Sequence, residues 1–582
     1  MPPQEPHILN KVYNVAALGY AGGAKGDGVA DDRAAIQAAI DQCIADSQVP
    51  NFGFGVVSFP PGTYNVSRNT DPNFNAAKRA LNIGGSNVWL MGQGKRSKLV
   101  ADAPTFSDGT AIFVVHSDTT QYKNIVFSDL AFDGTGTTSC AGIHVRGRTT
   151  ALPSSEVTAQ RCYFEKFLGT TGFTGRGFTV TNNHADQNTP PYYPIIVDGC
   201  YFDNNYAAIV LHQANYSCMN NIIEHTDASL VDVQFGVYAD LNEQNHGAIV
   251  NNYVTSMKEA GIYLFRSSRI TVSGNYINQS GVPGAAGDGI RADGAQYCII
   301  DNNMLEDIQS NGIWLKTQGS GQDTRKCLAN IIANNAIVNT LNAGASAAHG
   351  IYLGGNQTQN VIEGNRISGA RHNGIFLDNG ADENVVRANL CLNNNNAGSD
   401  NDGIRIRSSN NNLLTFNRCW DDRAGGQQKQ RYGIAVTNAG GFPVSDGNVI
   451  MFNDVRGNKS IQSATSPALM LWVESGATNT RVDLNVGYKS ENGGLFAGNG
   501  NAQTYGIAHS LDARDSNTTP NSTFKLPRSA VVTPASLQAV LNGATRLKHY
   551  VTTTRTNVMV NYNGTKPPGG NNVVKFYWTA EM

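Results

Sequence analysis

Charge is scarce in this sequence. Asp, Glu, Lys and Arg make up 15% of it and the net charge is −2. No basic excess exists to hold a nucleic-acid backbone, which excludes that partner class. No run approaches the roughly 18 apolar residues that a membrane-spanning helix needs, so no membrane partner is expected. Zinc-type spacing is missing too. The nine cysteines (Cys43, Cys140, Cys162, Cys200, Cys218, Cys298, Cys327, Cys391 and Cys419) are odd in number and form no CxxC pair. Several sit inside apolar runs such as Tyr297-Cys298-Ile299-Ile300, which reads as buried thiols acting as small hydrophobes rather than as a disulfide framework. What is abundant is turn chemistry. There are 62 glycines, and Asn-Asn, Asn-Gly and Gly-Asn pairs recur, which implies many turns and few long helices. At 582 residues the chain is too long for one ordinary globular core but normal for one elongated repeat domain with additions.

The N-terminal region carries an ordered set of short signals. Lys25-Gly26-Asp27-Gly28-Val29-Ala30-Asp31-Asp32 is turn-rich and runs into Arg33-Ala34-Ala35-Ile36-Gln37-Ala38-Ala39-Ile40. Ile36, Ile40, Cys43 and Ile44 fall on one helical face. Asp31 or Asp32 can cap that helix, so structural roles are expected for Asp27, Asp31 and Asp32. Then come Gly55-Val56-Val57-Ser58-Phe59-Pro60-Pro61-Gly62-Thr63-Tyr64, Leu81-Asn82-Ile83 and Asn87-Val88-Trp89-Leu90-Met91-Gly92-Gln93-Gly94. In this order the pieces closely resemble the start of the pectate-lyase-like superfamily, though Ala21-Gly22-Gly23 makes the preceding loop longer than usual. The resemblance implies a right-handed parallel β-helix whose N-terminal end is plugged by the helix, and it covers most of residues 12–460.

An internal repeat supports that fold independently. Asn-x-apolar recurs at Asn221, Asn252, Asn275, Asn303, Asn335, Asn365, Asn389, Asn417 and Asn453, at spacings of 31, 23, 28, 32, 30, 24, 28 and 36 residues. Cys162 and Cys200 take the asparagine's place in two further copies. Between them lies Gly-apolar-x-apolar, beginning at Gly142, Gly236, Gly261, Gly289, Gly312, Gly350, Gly374, Gly403 and Gly433. One turn plus short alternating strands per period marks a β-solenoid, with the asparagines forming an internal ladder. A β-propeller or stacked sandwiches would need antiparallel hairpins at short regular spacing, which this pattern fits poorly. The expected organisation is an N-terminal segment with capping helix (1–50), the parallel β-helix (51–470) and a small C-terminal β-rich module (471–582), because the repeat fades after about Val455. That module would cover the open end or join subunits.

Strand alternation turns the repeat into a surface. In Gly-Ile-x-φ-y the Ile and φ point inward, and x and y are expected to face solvent. The x positions read Tyr238, Tyr263, Arg291, Trp314, Tyr352, Phe376 and Arg405; the y positions read Asp240, Phe265, Asp293, Lys316, Gly354, Asp378 and Arg407. A file of aromatics beside a file of charges suits a groove for a long polysaccharide, although a loop or a neighbouring subunit could cover it instead. The candidate binding residues are therefore Tyr238, Tyr263, Arg291, Trp314, Lys316, Tyr352, Phe376 and Arg405.

Glycoside hydrolysis needs two carboxyls about 5 Å apart for retention or about 6.5–9.5 Å for inversion. Asp240 and Asp293 should sit two coils apart, roughly 9.6 Å at the backbone. Glu243, Asp288 and Asp378 are further candidate acids, each weighed against a solvated face or turn cap. β-Elimination of a uronate would instead need a base and cations, for which Arg291, Lys316, Arg405 and Tyr263 are available. No dense acidic cluster for calcium stands out, so no metal or cofactor is expected. The polygalacturonase pattern fails here, because Asn401-Asp402-Gly403 lacks the Thr and His349-Gly350 precedes it. The Asp-Pro-His motif of alginate epimerases is also absent. Hydrolysis is the first expectation, with a uronate lyase, a transglycosylase forming cyclic sugars and a non-catalytic carbohydrate-binding or structural β-helix as alternatives. Met1-Pro2-Pro3-Gln4-Glu5-Pro6 lacks the basic and apolar regions of a secretion signal. An extracellular or virion location is expected, with the signal removed or release by another route such as phage lysis. A tailspike-like homotrimer fits that setting.

Overall fold

The coils anticipated from the repeat appear in the computed structural model as triplets of short strands. The described residues are 11–485 apart from short stretches, the longer of which are 48–52, 70–78, 117–121, 147–155, 170–174, 182–193, 228–233, 241–245, 279–286, 319–323, 342–347, 424–428 and 459–470; beyond 485 they are the strands between Phe496 and Tyr577. The chain divides into two units, Met1–Ile375 and Phe376–Met582.

In the first unit three parallel sheets each gain one strand per coil. The first sheet runs from Val12–Asn14 to Val361–Glu363, the second from Asp27–Asp31 to Arg366–Ala370, and the third from Arg79–Ile83 to Ile351–Gly354. A coil such as Ile270–Ser273, Tyr276–Asn278 and Asp288–Asp293 visits the three sheets in turn, and each strand pairs in register with its equivalent one coil on. Inward positions form the core. Phe132, Phe164 and Phe202 stack coil on coil with centroids 4.8 and 4.7 Å apart. Each such burial stabilises by about 1.5–3 kcal/mol.

The corners explain the paired asparagines of the sequence. Asn220, Asn251, Gly274, Asn302, Asn334 and Gly364 all have φ between 53° and 66°. Gly and Asn tolerate that left-handed turn better than other residues. The residue after each is a ladder asparagine. Asn221, Asn252, Asn275, Asn303 and Asn335 each donate Nδ2 to the next Oδ1 at 2.9 Å. Each of those oxygens also accepts the backbone N–H of the preceding ladder residue at 2.9–3.1 Å. Cys200 stands at the ladder's start, its N–H donating to Asn221 Oδ1 at 2.9 Å. The repeated glycine has its own cause: a Cβ on Gly312 would lie 2.6 Å from the Gly350 carbonyl oxygen and 2.7 Å from Ile337.

Helix α1 (Arg33–Ser47) buries Ala35, Ile36, Ala39, Ile40 and Cys43. The three acids before it are structural. Asp31 accepts the Arg33 N–H at 3.1 Å, Asp32 ties the Lys25 and Gly26 amides, and Asp27 accepts from Val29 and Ala30. All nine cysteines are buried free thiols. No helix among the described residues is long and apolar enough to cross a membrane.

The second unit contains parallel coils of the same kind. Ile404–Arg407, Ile434–Thr437, Leu471–Val473 and Phe496–Ala497 pair in sequence, so parallel pairing extends past the point where the repeat fades in the sequence. Asn389, Asn417, Asn453 and Asn485 form its ladder. Seven further strands between Ala513 and Tyr577 pair antiparallel in two small sheets, which form the C-terminal β-rich module.

Candidate functional site

The third sheet of the first unit collects most of the candidate residues. Val210, Tyr238, Tyr263, Arg291, Trp314 and Tyr352 are direct register partners in successive coils, and so are His212, Asp240, Phe265, Asp293, Lys316 and Gly354. Both files of the first unit are therefore in the register read from the sequence.

The expectation that every outward residue meets solvent is corrected. Tyr238 is 3% exposed, Tyr263 7% and Asp293 1%. The reason is packing on the outer face of the sheet. Phe235 sets its ring 5.4 Å from both tyrosine rings, and these lie 5.0 Å from each other. Trp314 and Tyr352 are half-buried and stack with planes 12° apart. Their faces turn to each other along the file, so this stretch offers ring edges and hydroxyls rather than open ring faces.

The polar groups form a network around those rings. Asp293 accepts both Nε and Nη2 of Arg291, at 3.1 and 2.9 Å, and the Tyr263 hydroxyl at 2.8 Å. The Arg291 guanidinium lies over the Tyr263 and Trp314 rings and 3.6 Å from Glu259. Lys316 sits over the Trp314 ring. Asp240 Oδ2 lies 2.8 Å from His212 Nδ1, whereas its Oδ1 is buried and accepts no hydrogen bond among the described residues. Burial, then the neighbouring carboxylates, push the hydroxyl pKa values of Tyr238 and Tyr263 well up, so both remain protonated donors.

Asp288 opens the strand that Asp293 closes. It is buried and accepts the backbone and side-chain amides of Asn311 at 3.0 and 3.1 Å. Burial pushes its carboxyl up to about 6 against those hydrogen bonds. Asn311 Oδ1 in turn accepts the His349 N–H, and His349 Nδ1 accepts from Asn373, so Asp288 heads a short polar ladder. Glu243 lies outside the described residues.

In the second unit Phe376 is buried, which again corrects its expected exposure; the Arg407 guanidinium covers its ring at 4.9 Å. Asp378 is also buried and is bound at both oxygens by Arg407, at 2.7 and 2.8 Å. Arg405 is half-buried, with Nε 3.3 Å from Thr437 Oγ1. Among the described residues no group of three or more His, Cys, Asp or Glu side chains is placed to hold a metal ion.

Sequence reasoning missed His212. Its strand, Ala207–His212, reads Ala-Ala-Ile-Val-Leu-His and lacks the glycine that flags the coils after it. The same alternation carried one coil back, from Ile209 as an inward residue, would have found it.

A model described as right-handed β-helix region matches residues 232–390 and 288–506. A second, described as rhamnogalacturonase A/epimerase, pectate lyase-like, matches residues 21–286. Mannuronan C5-epimerase AlgE5 of Azotobacter vinelandii is 35% identical over 122 residues, which is 21% of this chain and 11% of that protein. AlgE3 of the same organism is 36% identical over 112 residues, 19% of this chain and 6% of that protein. The match thus spans only a small part of the length of these curated relatives. Among solved structures, a mutant tailspike protein of E. coli bacteriophage HK620 in complex with a pentasaccharide aligns with a TM-score of 0.50 at 13% identity, over 98% of this chain and 94% of that one. The two models together cover both the capped start and the coils: the chain is a right-handed parallel β-helix, and its residues 21–286 match a pectate lyase-like model.

Proposed function

We propose that this chain is an enzyme that cleaves glycosidic bonds in a long polysaccharide laid along the third sheet, by hydrolysis between Asp240 and Asp293. The observation that carries the reading is that these two carboxyls occupy one outward file two coils apart. That spacing is about 9.6 Å at the backbone, and side-chain reach brings it into the inverting range of about 6.5–9.5 Å. The proton shared between His212 Nδ1 and Asp240 Oδ2 goes to the leaving oxygen. Asp293, held by Arg291 and Tyr263, takes the proton of the attacking water. The stretch shared with an enzyme named for mannuronan supports a polysaccharide as the substrate class. Asp240→Asn and Asp293→Asn should each lower kcat on the order of 10²–10⁴-fold, measured as reducing ends released from a panel of capsular and plant polysaccharides. Full activity in both variants would remove the carboxyl assignment.

A second reading is favoured by the basic groups beside the two carboxyls, His212 at Asp240 and Arg291 and Lys316 at Asp293. His212 as base, with Arg291 and Lys316 neutralising a uronate, would suit β-elimination. Ultraviolet absorbance of an unsaturated product, absent after hydrolysis, separates the two.

A further inference from the structure

The first coils of the third sheet carry a different charge from the coils that hold Asp240 and Asp293. Strands Arg79–Ile83, Ala111–His116, Ala141–Arg146, Arg176–Thr181 and Ala207–His212 contain no Asp or Glu. Their outward positions instead hold Arg79, His116, His144, Arg146 and Arg176, all half-buried. Arg79 and Arg176 lie in one register file, separated by Ala111 and Ala141. His116 and Arg146 are direct partners in another. Arg79 Nη1 donates to Asn82 Oδ1 and Arg176 Nη1 to Thr179 Oγ1, which fixes both side chains on this face. The Arg146 guanidinium has no hydrogen-bond or ion-pair partner among the described residues.

Positive potential converges on the middle of this group. His144 is held down to about 3, first by burial and then by Arg176, Arg146 and His116, each of which disfavours a further proton there. The following coils reverse the sign, for Asp240, Asp288 and Asp293 belong to strands Phe235–Asp240 and Asp288–Asp293. One outward face thus passes from cationic to net acidic along the axis of the coils.

We infer that Arg146, with its register partner His116 and with Arg176 on the next coil, forms a subsite for an anionic substituent of the polysaccharide, three coils before the cleavage point, and that the substrate is a heteropolysaccharide with an acidic residue set among neutral ones. The inference rests on the reading of this sheet as the sugar track. Arg146 and Asp240 lie three coils apart, about 14 Å. Guanidinium groups bind carboxylate or sulfate through paired N–H donors. Three aspartates near the cleavage point repel a uronate there, so a homopolymer with a negative charge on every sugar is disfavoured.

The test is affinity electrophoresis of the full chain in native gels containing dextran, carboxymethyl-dextran, dextran sulfate, hyaluronan or polygalacturonate. Hyaluronan, in which acidic and neutral sugars alternate, should retard the chain more than polygalacturonate, and dextran should not retard it. The carboxymethyl and sulfate arms tell which oxyanion is preferred. R146Q should weaken retardation by about tenfold, R146K should restore most of it, and added salt should abolish it. D240N should not weaken retardation. Equal retardation of R146Q and the parent chain, equal retardation by dextran, stronger retardation by polygalacturonate, or no retardation by any polyanion would each overturn the inference. So would a loss with D240N as large as with R146Q. A chain retarded as expected that cuts no polysaccharide would sink the hydrolase reading and leave this one standing.

Discussion

On the outer face His212 and Asp240 join a titratable ring to a carboxylate. His212→Gln retains a hydrogen-bonding side chain but cannot pass on a proton. It should lower kcat about 10²-fold with little change in KM, read from initial rates on the polymer that proves to be the substrate. Arg291→Lys keeps a charge but loses the two-point grip on Asp293, so activity should fall while thermal stability falls as well. Two further groups set opposite pH trends in stability. His144 has its pKa lowered from 6.5 to about 3 by burial and adjacent cations, so the unfolded chain binds the proton first. Its stabilising contribution is complete above 6.5 and is lost as pH falls toward about 3. Asp288 is raised from 3.8 to about 6 by burial, so its contribution is complete below 3.8 and is lost as pH rises through about 6. Asp288→Asn keeps an oxygen for Asn311 and removes the cost of a buried charge. It should therefore raise Tm on the alkaline side of about 6 and give no gain below 3.8. A uniform shift across that range would show that Asp288 acts only through its hydrogen bonds.

At the scale of the element, the coil corner was the most legible feature in the sequence. The Asn-Asn and Gly-Asn pairs state both requirements of the corner, a left-handed turn residue and a ladder amide. Asn303→Ala leaves the Asn275 N–H and Nδ2 without their acceptor. It should cost about 2–4 kcal/mol, seen as a lowered Tm and as faster amide exchange in the adjoining coils. Gly312→Ala should be as damaging, because the backbone of the next coil occupies the space of its Cβ. Ala388 is the converse case, since it holds φ 55° where the corners before Asn221, Asn252, Asn275, Asn303, Asn335 and Asn365 use Asn or Gly. Ala388→Gly relieves roughly 1 kcal/mol of left-handed strain, offset in part by added chain entropy, for a gain of about 0.5 kcal/mol in thermal or denaturant unfolding. What the sequence hid was outer-face packing. Alternation tells which side of a sheet a residue takes but not what lies over it. Tyr238 and Tyr263 were correctly set outward and yet are buried, because Phe235, two residues ahead of Val237, folds its ring onto both.

Across the first unit, parallel in-register stacking converts distant sequence positions into one continuous strip, and this is why the files from Tyr238 to Tyr352 could be read without any structure. The same rule, read only from Gly236 onward, left out the basic coils before it. Arg146 follows Gly142-Ile143 at the same offset that Asp240 follows Gly236-Val237, so the signal was present. From His116 to Lys316 the strip crosses seven coil steps, about 34 Å. If binding energy is gathered along that length and used at Asp240 and Asp293, substrate length must govern the chemical step. Oligosaccharides long enough to reach from the carboxyls to Arg146 should be cleaved with a far higher kcat/KM than fragments that end short of it. R146Q should erase most of that advantage while leaving the rate on short fragments untouched. A kcat/KM that is flat with chain length would mean that the coils before Asp240 take no part in holding the substrate.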